Sequence, residues 1–342
     1  MNEHNDAQTL HKQKILSVSI AAYNVEKYIH NTLMSCTVDS ILDDIEVIVV
    51  NDGSTDQTKA IADEFANKYP NTFKVIDKEN EGYGSTVMLG IKNATGKYFK
   101  LLDGDDWFDK DGICKLVDVL KKADEDAVLS SRVVFDGTEY IYKAPPWANV
   151  DGSTIKRDDF DYNKSFGIWE LTVRTNLLKT IDWNLPLHCL YTDQIFVMKV
   201  MAKTQTVRIL CKPVYCYRRG EEEQSSSRSS RIKHISEFVS VYNILLEIYL
   251  DNRYENGKEN VMLRHRFDKY YRTLIRTYLL QGVSKEIKQE IIRAEREVKK
   301  SAPEIYAIRD ADIKERIMIK LLRITGYMAY YPIALVGIPN WG

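Results

Sequence analysis

The sequence predicts an α/β fold in which a mostly parallel sheet is flanked by helices and followed by a helical C-terminal appendage. Between residues 15 and 103, short apolar runs rich in β-branched residues alternate with segments of helical periodicity. From about Ile235 onward the pattern changes to long helical segments. Strands that alternate with helices are typical of a parallel sheet whose two faces are covered.

The predicted elements follow in chain order. The first four strands are expected at residues 15–24, 45–50, 73–77 and 97–103, with helices between them at 25–37, 56–69 and 84–95. A helix at 112–123, strands at 127–135 and 138–143 and a helix at 190–203 come next. The last helices are expected at 235–250, 261–280 and 284–300. We therefore expect a flexible tail at 1–14, a sheet-based domain at 15–230 and a helical region at 231–342.

Composition narrows the classes of function. In this chain of 342 residues the 48 Lys and Arg nearly balance the 49 Asp and Glu, so no overall positive field favours nucleic acid. The five cysteines are an odd, scattered set without CxxC spacing, which argues against disulfides and zinc. The polar N-terminus and the absence of a long uncharged apolar run predict neither a signal peptide nor a membrane span. A cytoplasmic location is expected.

Polar side chains stand where three of the predicted parallel strands end. Tyr23 follows the first strand, Asp52 ends the second and Asp103 ends the fourth. Ligands of such sheets bind beyond the carboxyl ends of the strands. An aspartate that accepts from a ring N–H and a tyrosine that supplies a flat face would suit a nucleobase. The alternative is that these residues only form turns and helix caps.

The segment LDGDDWF carries three carboxylates within four residues, which repel one another unless a cation is present. In an extended segment Asp103 and Asp105 point the same way, so one can reach a divalent ion and the other a ribose or a second metal position. Such an ion would neutralise charge on a departing diphosphate. The alternative is an acidic turn that caps the next helix.

The motifs IAAYN, VIVVNDGSTDQT, ENEGYGS, NATGKYFKLLDGDDWF and TDQIF occur in this order, and together they resemble family 2 glycosyltransferases of the GT-A fold. The similarity covers about residues 15 to 220. It implies transfer from a nucleotide sugar with inversion at the anomeric carbon, and UDP-sugars are the commonest donors of the family. It implies donor contacts at Ala21, Tyr23, Asp52, Gly84, Asp103 and Gly104. It also implies Mn²⁺ or Mg²⁺ at Asp105, and a saccharide, lipid-linked or protein acceptor.

Asp193 is the candidate general base. It is expected in the first turn of the helix at 190–203, where it could take the proton of the acceptor hydroxyl. The alternative is a carboxylate that only favours the helix dipole. The sequence departs from the family pattern twice: Thr86–Met88 replace an Ala-Arg-Asn stretch that contacts the donor, and Thr192 replaces a glutamate.

A polar stretch after residue 216 contains Arg218, Arg219 and Arg228, which suit a loop that closes over a diphosphate. Solvated surface charge is an equally good explanation. His234 as a third metal ligand and His188 as a base or acceptor contact are further options, and a structural role is the simpler explanation for both.

The C-terminal stretch at 312–342 combines Lys314, Arg316, Lys320 and Arg323 with many apolar side chains. It could lie on an anionic membrane surface, at the inner face of the membrane. The alternatives are that it packs on the catalytic domain, or on a second subunit to form a homodimer. For the chain as a whole, the sequence favours an enzyme of polysaccharide or glycoconjugate synthesis. The competing hypothesis is a catalytically inactive scaffold or nucleotide-sugar binding protein.

Overall fold

The fold is taken from a computed structural model that describes residues 13–160, 166–219, 228–255, 257–308 and 311–336. Most of the predicted tail, residues 1–12, and part of the predicted arginine loop, residues 220–227, lie outside the described residues. None of the described helices is long and apolar enough to cross a membrane.

The strands are β1 (Leu16–Ala22), β2 (Ile45–Asp52), β3 (Phe73–Lys78), β4 (Tyr98–Asp103), β5 (Trp107–Phe108), β6 (Ala127–Phe135), β7 (Tyr140–Lys143), β8 (Thr154–Lys156), β9 (Leu171–Arg174), β10 (Thr206–Arg218), β11 (Tyr254–Glu255) and β12 (Lys258–Glu259). The main sheet has the order β3-β2-β1-β4-β9-β6-β10-β5. Strands β1 to β4 pair in parallel, and β9 lies antiparallel between β4 and β6. The predicted α/β fold with a mostly parallel sheet is confirmed.

The helices of the first part are α1 (Ile29–Ser35), α2 (Thr58–Lys68), α3 (Tyr83–Asn93), α4 (Lys110–Lys122), α5 (Thr175–Lys179) and α6 (Thr192–Lys203). Those of the C-terminal part are α7 (Arg228–Lys233), α8 (Ile235–Asn252), α9 (Val261–Leu280), α10 (Lys285–Ser301), α11 (Pro303–Tyr306), α12 (Ile313–Ile324) and α13 (Tyr330–Val336). The predicted helical character of the C-terminal part is confirmed.

Alternation along the buried strands builds two cores. In β2, Val47 and Val49 face a cluster that includes side chains of α1, α2 and α4. Ile48 and Val50 face the opposite cluster, because successive side chains of a strand point to opposite sides. That second cluster continues through α3 and α6 into α8, α9, α10 and α12. The C-terminal helices therefore share one hydrophobic core with the sheet.

Candidate active site

The register of the parallel strands brings the predicted donor residues to one edge. Ala21 on β1 pairs with Asp103 on β4, and the neighbouring Ala22 pairs with Asn51, which precedes Asp52 on β2. Gly104 continues from β4 and donates its N–H to the Ala21 carbonyl at 3.0 Å. A Cβ at Gly104 would lie 2.8 Å from that carbonyl oxygen, so the close approach requires glycine.

Three carboxylates crowd the end of β4. Burial, followed by the charge of Asp105, raises the pKa of Asp103 to about 7. Burial and the charges of Asp103 and Asp105 also raise the pKa of Asp106. This cluster is unfavourable as a set of full negative charges, and a bound cation would relieve the repulsion.

Two tyrosines that the sequence did not single out hold the acidic cluster. The hydroxyl of Tyr215 on β10 donates to Asp106 Oδ2 at 2.6 Å and accepts from the Asp103 N–H at 3.2 Å. The hydroxyl of Tyr83, the first residue of α3, hydrogen-bonds to Asp103, and its pKa is raised by burial and by the charges of Asp103 and Asp193. Tyr83 therefore lies between the acidic cluster and the candidate base.

The carboxylate of Asp52 is buried, with 2% of the residue exposed, and it organises the loop after β3. It accepts from Lys78 Nζ at 2.7 Å and from the N–H groups of Glu81 and Gly82 at 3.0 and 2.8 Å. Ser85 Oγ also lies 3.5 Å from Oδ1, so three donors approach that oxygen. Among the described residues Oδ2 accepts only from the Gly82 N–H, which leaves this oxygen room for one further bond, such as one from a ring N–H.

Tyr23 is 51% exposed and offers a free aromatic face at the same edge. The loop that carries it is fixed to the loop after β2. Asn24 receives the Thr55 N–H on Oδ1 at 2.9 Å, and its own N–H donates to Ser54 Oγ at 3.1 Å. Asn24 has a positive φ of 51°, which asparagine tolerates better than most residues. The VNDGST motif thus positions Tyr23.

Asp193 lies in the first turn of α6, as predicted. Burial is the largest influence on its carboxyl and raises its pKa, and the charge of Arg266 on α9 acts in the opposite direction. Gln194 connects the two residues: its Nε2 donates to Asp193 Oδ2 at 2.7 Å, and its Oε1 accepts from Arg266 Nη2 at 2.9 Å. A buried arginine of the C-terminal helices therefore belongs to the surroundings of the candidate base.

The segment before α6 rests on the glycine-rich segment. The N–H of His188 donates to the Glu81 carbonyl at 2.7 Å. Gly82 has a φ of 88°, and a Cβ there would lie 2.9 Å from His188 N. A Cβ on Gly84 would lie 2.9 Å from the Pro186 carbonyl oxygen. Gly84, a predicted donor contact, thus allows the close packing that brings Asp193 towards Tyr83.

The three arginines predicted to form one loop occupy different places. Arg218 ends strand β10, and its guanidinium lies 4.7 Å from the ring centroid of Tyr28 and 4.9 Å from that of Trp107. Its Nε donates to the Asp105 carbonyl at 3.1 Å. Arg219 is exposed and Arg228 begins helix α7. Arg218 is therefore an ordered cation beside the acidic cluster.

The acidic cluster fits a cation that substrate oxygens help to hold. Among the described residues, no three His, Cys, Asp or Glu side chains form a group that could hold a metal alone. His234 is paired with Glu237 through Nδ1 at 2.7 Å. Hard divalent ions in nucleotide sites are commonly bound by one or two carboxylates together with substrate phosphates. Asp105 and Asp103 offer such a partial set.

Comparison with known proteins indicates which class of enzyme this fold and site resemble. Residues 17–181 match the model of Glycosyl transferase family 2. The match includes β1 to β4 with the acidic cluster, and it ends before Asp193. These 165 of the chain's 342 residues therefore match a family 2 glycosyltransferase domain.

Similar proteins agree with this assignment. EpsH of Bacillus subtilis (strain 168) is 44% identical over 96 residues, which are 28% of this chain and 27% of that protein. Glycosyltransferase GlyA of Streptococcus pneumoniae serotype 4 is 23% identical over 293 residues, 76% of this chain and 41% of that protein. The chain thus spans less than half the length of these curated relatives.

A solved structure confirms the GT-A fold. TarS 1–349 of S. aureus, crystallised in complex with UDP-GlcNAc, superposes with a TM-score of 0.66 at 21% identity. The superposition covers 91% of this chain and 92% of that one, so the C-terminal helices are included in the similarity.

Proposed function

We propose that this chain transfers a sugar from a UDP-sugar to an acceptor hydroxyl with inversion at the anomeric carbon. The observation that carries the proposal is the convergence of two kinds of carboxylate on Tyr83. Asp103 hydrogen-bonds to the Tyr83 hydroxyl, and the charge of Asp193 acts on the same group from α6. A donor-binding cluster and a separate base that both lie close to Tyr83 suit direct displacement, in which the acceptor attacks the side of the sugar opposite to the diphosphate.

Asp193 would act as the general base. Arg266 offsets part of the effect of burial on its pKa, which favours the ionised form that accepts a proton. Its place at the start of α6 also favours a negative charge. The hydrogen bond from Gln194 occupies Oδ2, so Oδ1 would receive the proton of the acceptor.

Mn²⁺ or Mg²⁺ would be held by Asp105, with Asp103 turned to the ribose or to the same ion. When bound, such an ion neutralises the charge that develops on the departing diphosphate. Arg218 adds a fixed positive charge nearby, since its guanidinium is stacked on Tyr28 and Trp107 and bonded to the Asp105 carbonyl. Arg218 would replace in part the donor-contacting arginine that is missing at Thr86–Met88.

The base would stack on the exposed ring of Tyr23 and bond to Asp52 through its remaining acceptor position. The same arrangement supports UDP as the nucleotide, and the UDP-GlcNAc complex of TarS is in accord with it. The acceptor would be a saccharide, a lipid-linked molecule or a protein in polysaccharide or glycoconjugate synthesis.

Two matched variants test the function. Asp193→Asn keeps the size of the side chain but cannot take a proton, so transfer should fall by about 10²- to 10⁴-fold while UDP affinity with Mn²⁺ stays near wild type. Asp105→Asn should instead weaken UDP binding in calorimetry only when Mn²⁺ is present. Wild-type protein that binds UDP but neither hydrolyses nor transfers any of a panel of nucleotide sugars would favour the inactive-scaffold hypothesis.

We also propose that α12 lies on a membrane surface at the cytoplasmic face, as part of the helical region at 231–342. Its exposed apolar side chains, Ile313, Ile317, Leu321 and Ile324, fall on one side of the helix. At 100° per residue, the exposed Lys314 and Lys320 flank this stripe on either side. An apolar stripe with a lysine on either side suits an anionic lipid surface. Arg323, by contrast, turns inward to Glu295.

Vesicles of phosphatidylglycerol test this contact. Replacing Ile317 and Leu321 by serine should abolish co-sedimentation, because it removes the centre of the stripe and leaves the buried face of α12 unchanged. Loss of a dimer in analytical ultracentrifugation, with no change in sedimentation with vesicles, would show that the stripe joins two subunits instead.

A further inference from the structure

One side of helix α9 carries a stripe of basic residues, of which the proposed function uses only Arg266. Arg266, Lys269, Arg272 and Arg276 fall within an arc of about 120° when successive residues turn by about 100°. With a rise of about 1.5 Å per residue, the stripe is about 15 Å long. Helix α7 packs against α9, and the charges of Arg228 and Arg276 act on its Arg231.

Part of this positive charge is neutralised within the protein. Arg272 pairs with Asp268 at 2.9 Å and also with Glu315 on α12. Arg276 pairs with the same Glu315 at 3.3 Å. Asp268 and Glu315 together balance the charges of Arg272 and Arg276, and Arg266 lies beside Asp193, so Lys269 contributes the excess positive charge of the stripe.

Lys269 has no carboxylate partner among the described residues. Its side chain is exposed, yet burial around it is the largest cause that lowers its pKa. The charges that act most strongly on its ammonium group are all positive and belong to Arg266, Arg272, Arg276 and Arg132. The four arginines around Lys269 do not stabilise the fold through this lysine, because each positive charge disfavours the charged form of its ammonium group.

The stripe begins beside the candidate base. Arg266 bonds to Gln194, which bonds to Asp193, and α6 packs against α9. Lys269 follows Arg266 by about one helical turn. An anion bound at Lys269 would therefore lie on the same side of the site as Asp193, within reach of a molecule whose hydroxyl approaches Asp193.

We propose that Lys269, assisted by the charges of Arg266 and Arg276 on the same helix, binds a phosphate group of the acceptor. The proposal rests on the proposed function in one respect, since Asp193 defines the acceptor side. Several cations around one partly enclosed position suit a phosphate, which carries up to two charges and several acceptor oxygens. The length of the stripe allows a second phosphate of a phosphodiester chain to be bound further along α9.

Inorganic phosphate is the probe, titrated calorimetrically at constant ionic strength into protein saturated with UDP and Mg²⁺. Under these conditions the donor site is filled. Wild-type protein should bind phosphate saturably, and Lys269→Ala should weaken the affinity by about tenfold or more. Lys269→Arg keeps the charge and should bind within about threefold of wild type. Lys285→Ala on α10 is the matched control, an exposed lysine outside the stripe, and it should bind as wild type does.

Two results would overturn the proposal. Equal phosphate affinity in Lys269→Ala and wild type would remove Lys269 from the site. Phosphate binding that disappears when UDP is added would place the anion in the donor diphosphate site. UDP affinity is measured for the same proteins in a separate titration, and it separates this inference from the proposed function. Absence of UDP binding would refute donor binding, but the comparison of phosphate affinity between the lysine variants would remain valid.

Discussion

Replacing Arg266 by methionine should change the pH dependence of transfer. In the structure, Gln194 bridges Arg266 and Asp193 through hydrogen bonds of 2.9 and 2.7 Å. Two charges about 7 Å apart attract by roughly 2 kcal/mol at an effective dielectric constant of about 20. Solvent screening removes part of this attraction, and the loss of what remains should raise the pKa of Asp193 in Arg266→Met.

The assay is the profile of kcat/KM against pH. A general base must be ionised, so activity rises with pH through the pKa of Asp193, and this acid limb should move to higher pH in the variant. Arg264→Met is the matched control, because Arg264 lies on the same helix and pairs with Glu259. If activity falls equally at every pH and the acid limb stays in place, Arg266 is structural and the reasoning is refuted.

The pH dependence of protein stability gives an independent test of the raised pKa of Asp193. Asp193 has a pKa above its unfolded value, so it favours the folded state below the unfolded pKa of about 4, and this contribution is lost as pH rises through the folded pKa. Raising that pKa further in Arg266→Met should increase the loss. We expect the melting temperature of the variant to fall further below wild type at pH 7 than at pH 4.

Three further predictions concern the remaining site residues. Gly84→Ala should lower transfer more than UDP affinity, since its methyl group would lie 2.9 Å from the Pro186 carbonyl oxygen and displace the segment before Asp193; equal losses in both measurements would contradict this. Tyr215→Phe should lower the free energy of unfolding by about 1–3 kcal/mol in urea titrations, because Asp106 loses a buried donor. Arg218→Lys should weaken UDP affinity in calorimetry, as lysine cannot keep both the stacking and the bond to the backbone.

Sequence periodicity predicted the first four strands because they are short and mostly apolar. Strands β1, β2 and β4 are buried on both faces, whereas β3 lies at the edge of the sheet and is only partly buried. It did not predict β10, the longest strand. There Lys212 and Pro213 interrupt the apolar pattern, and the pairing with β6 shifts its register between Leu210 and Tyr215. Strand β9 was missed because four residues give too little pattern, although its insertion separates β4 from β6. As a result, Arg218 was expected on a loop and lies on a strand.

The residues of the candidate site likewise divide into those that the sequence predicted and those that only the structure shows. Asp103, Asp105 and Asp193 could be proposed from short motifs, since clustered carboxylates at a strand end and a carboxylate in a first helical turn are local signals. Tyr215 is more than 100 residues from the aspartates that it contacts, so no local pattern identifies it. The tyrosine of ENEGYGS was visible in a motif, but only the packing of the segment before α6 shows that it faces two carboxylates.

Helix α9 shows most clearly that tertiary contacts reveal roles of residues that sequence periodicity does not predict. In the sequence its arginines and lysine are indistinguishable from the solvated face of an amphipathic helix. In the structure Arg266 is 9% exposed and bonded to Gln194, beside Asp193. The proposed boundary near residue 230 separates two patterns of sequence, yet the hydrophobic core and the surroundings of Asp193 both cross it. The C-terminal helices are therefore better regarded as part of the acceptor side of the site than as an attachment to a complete catalytic domain.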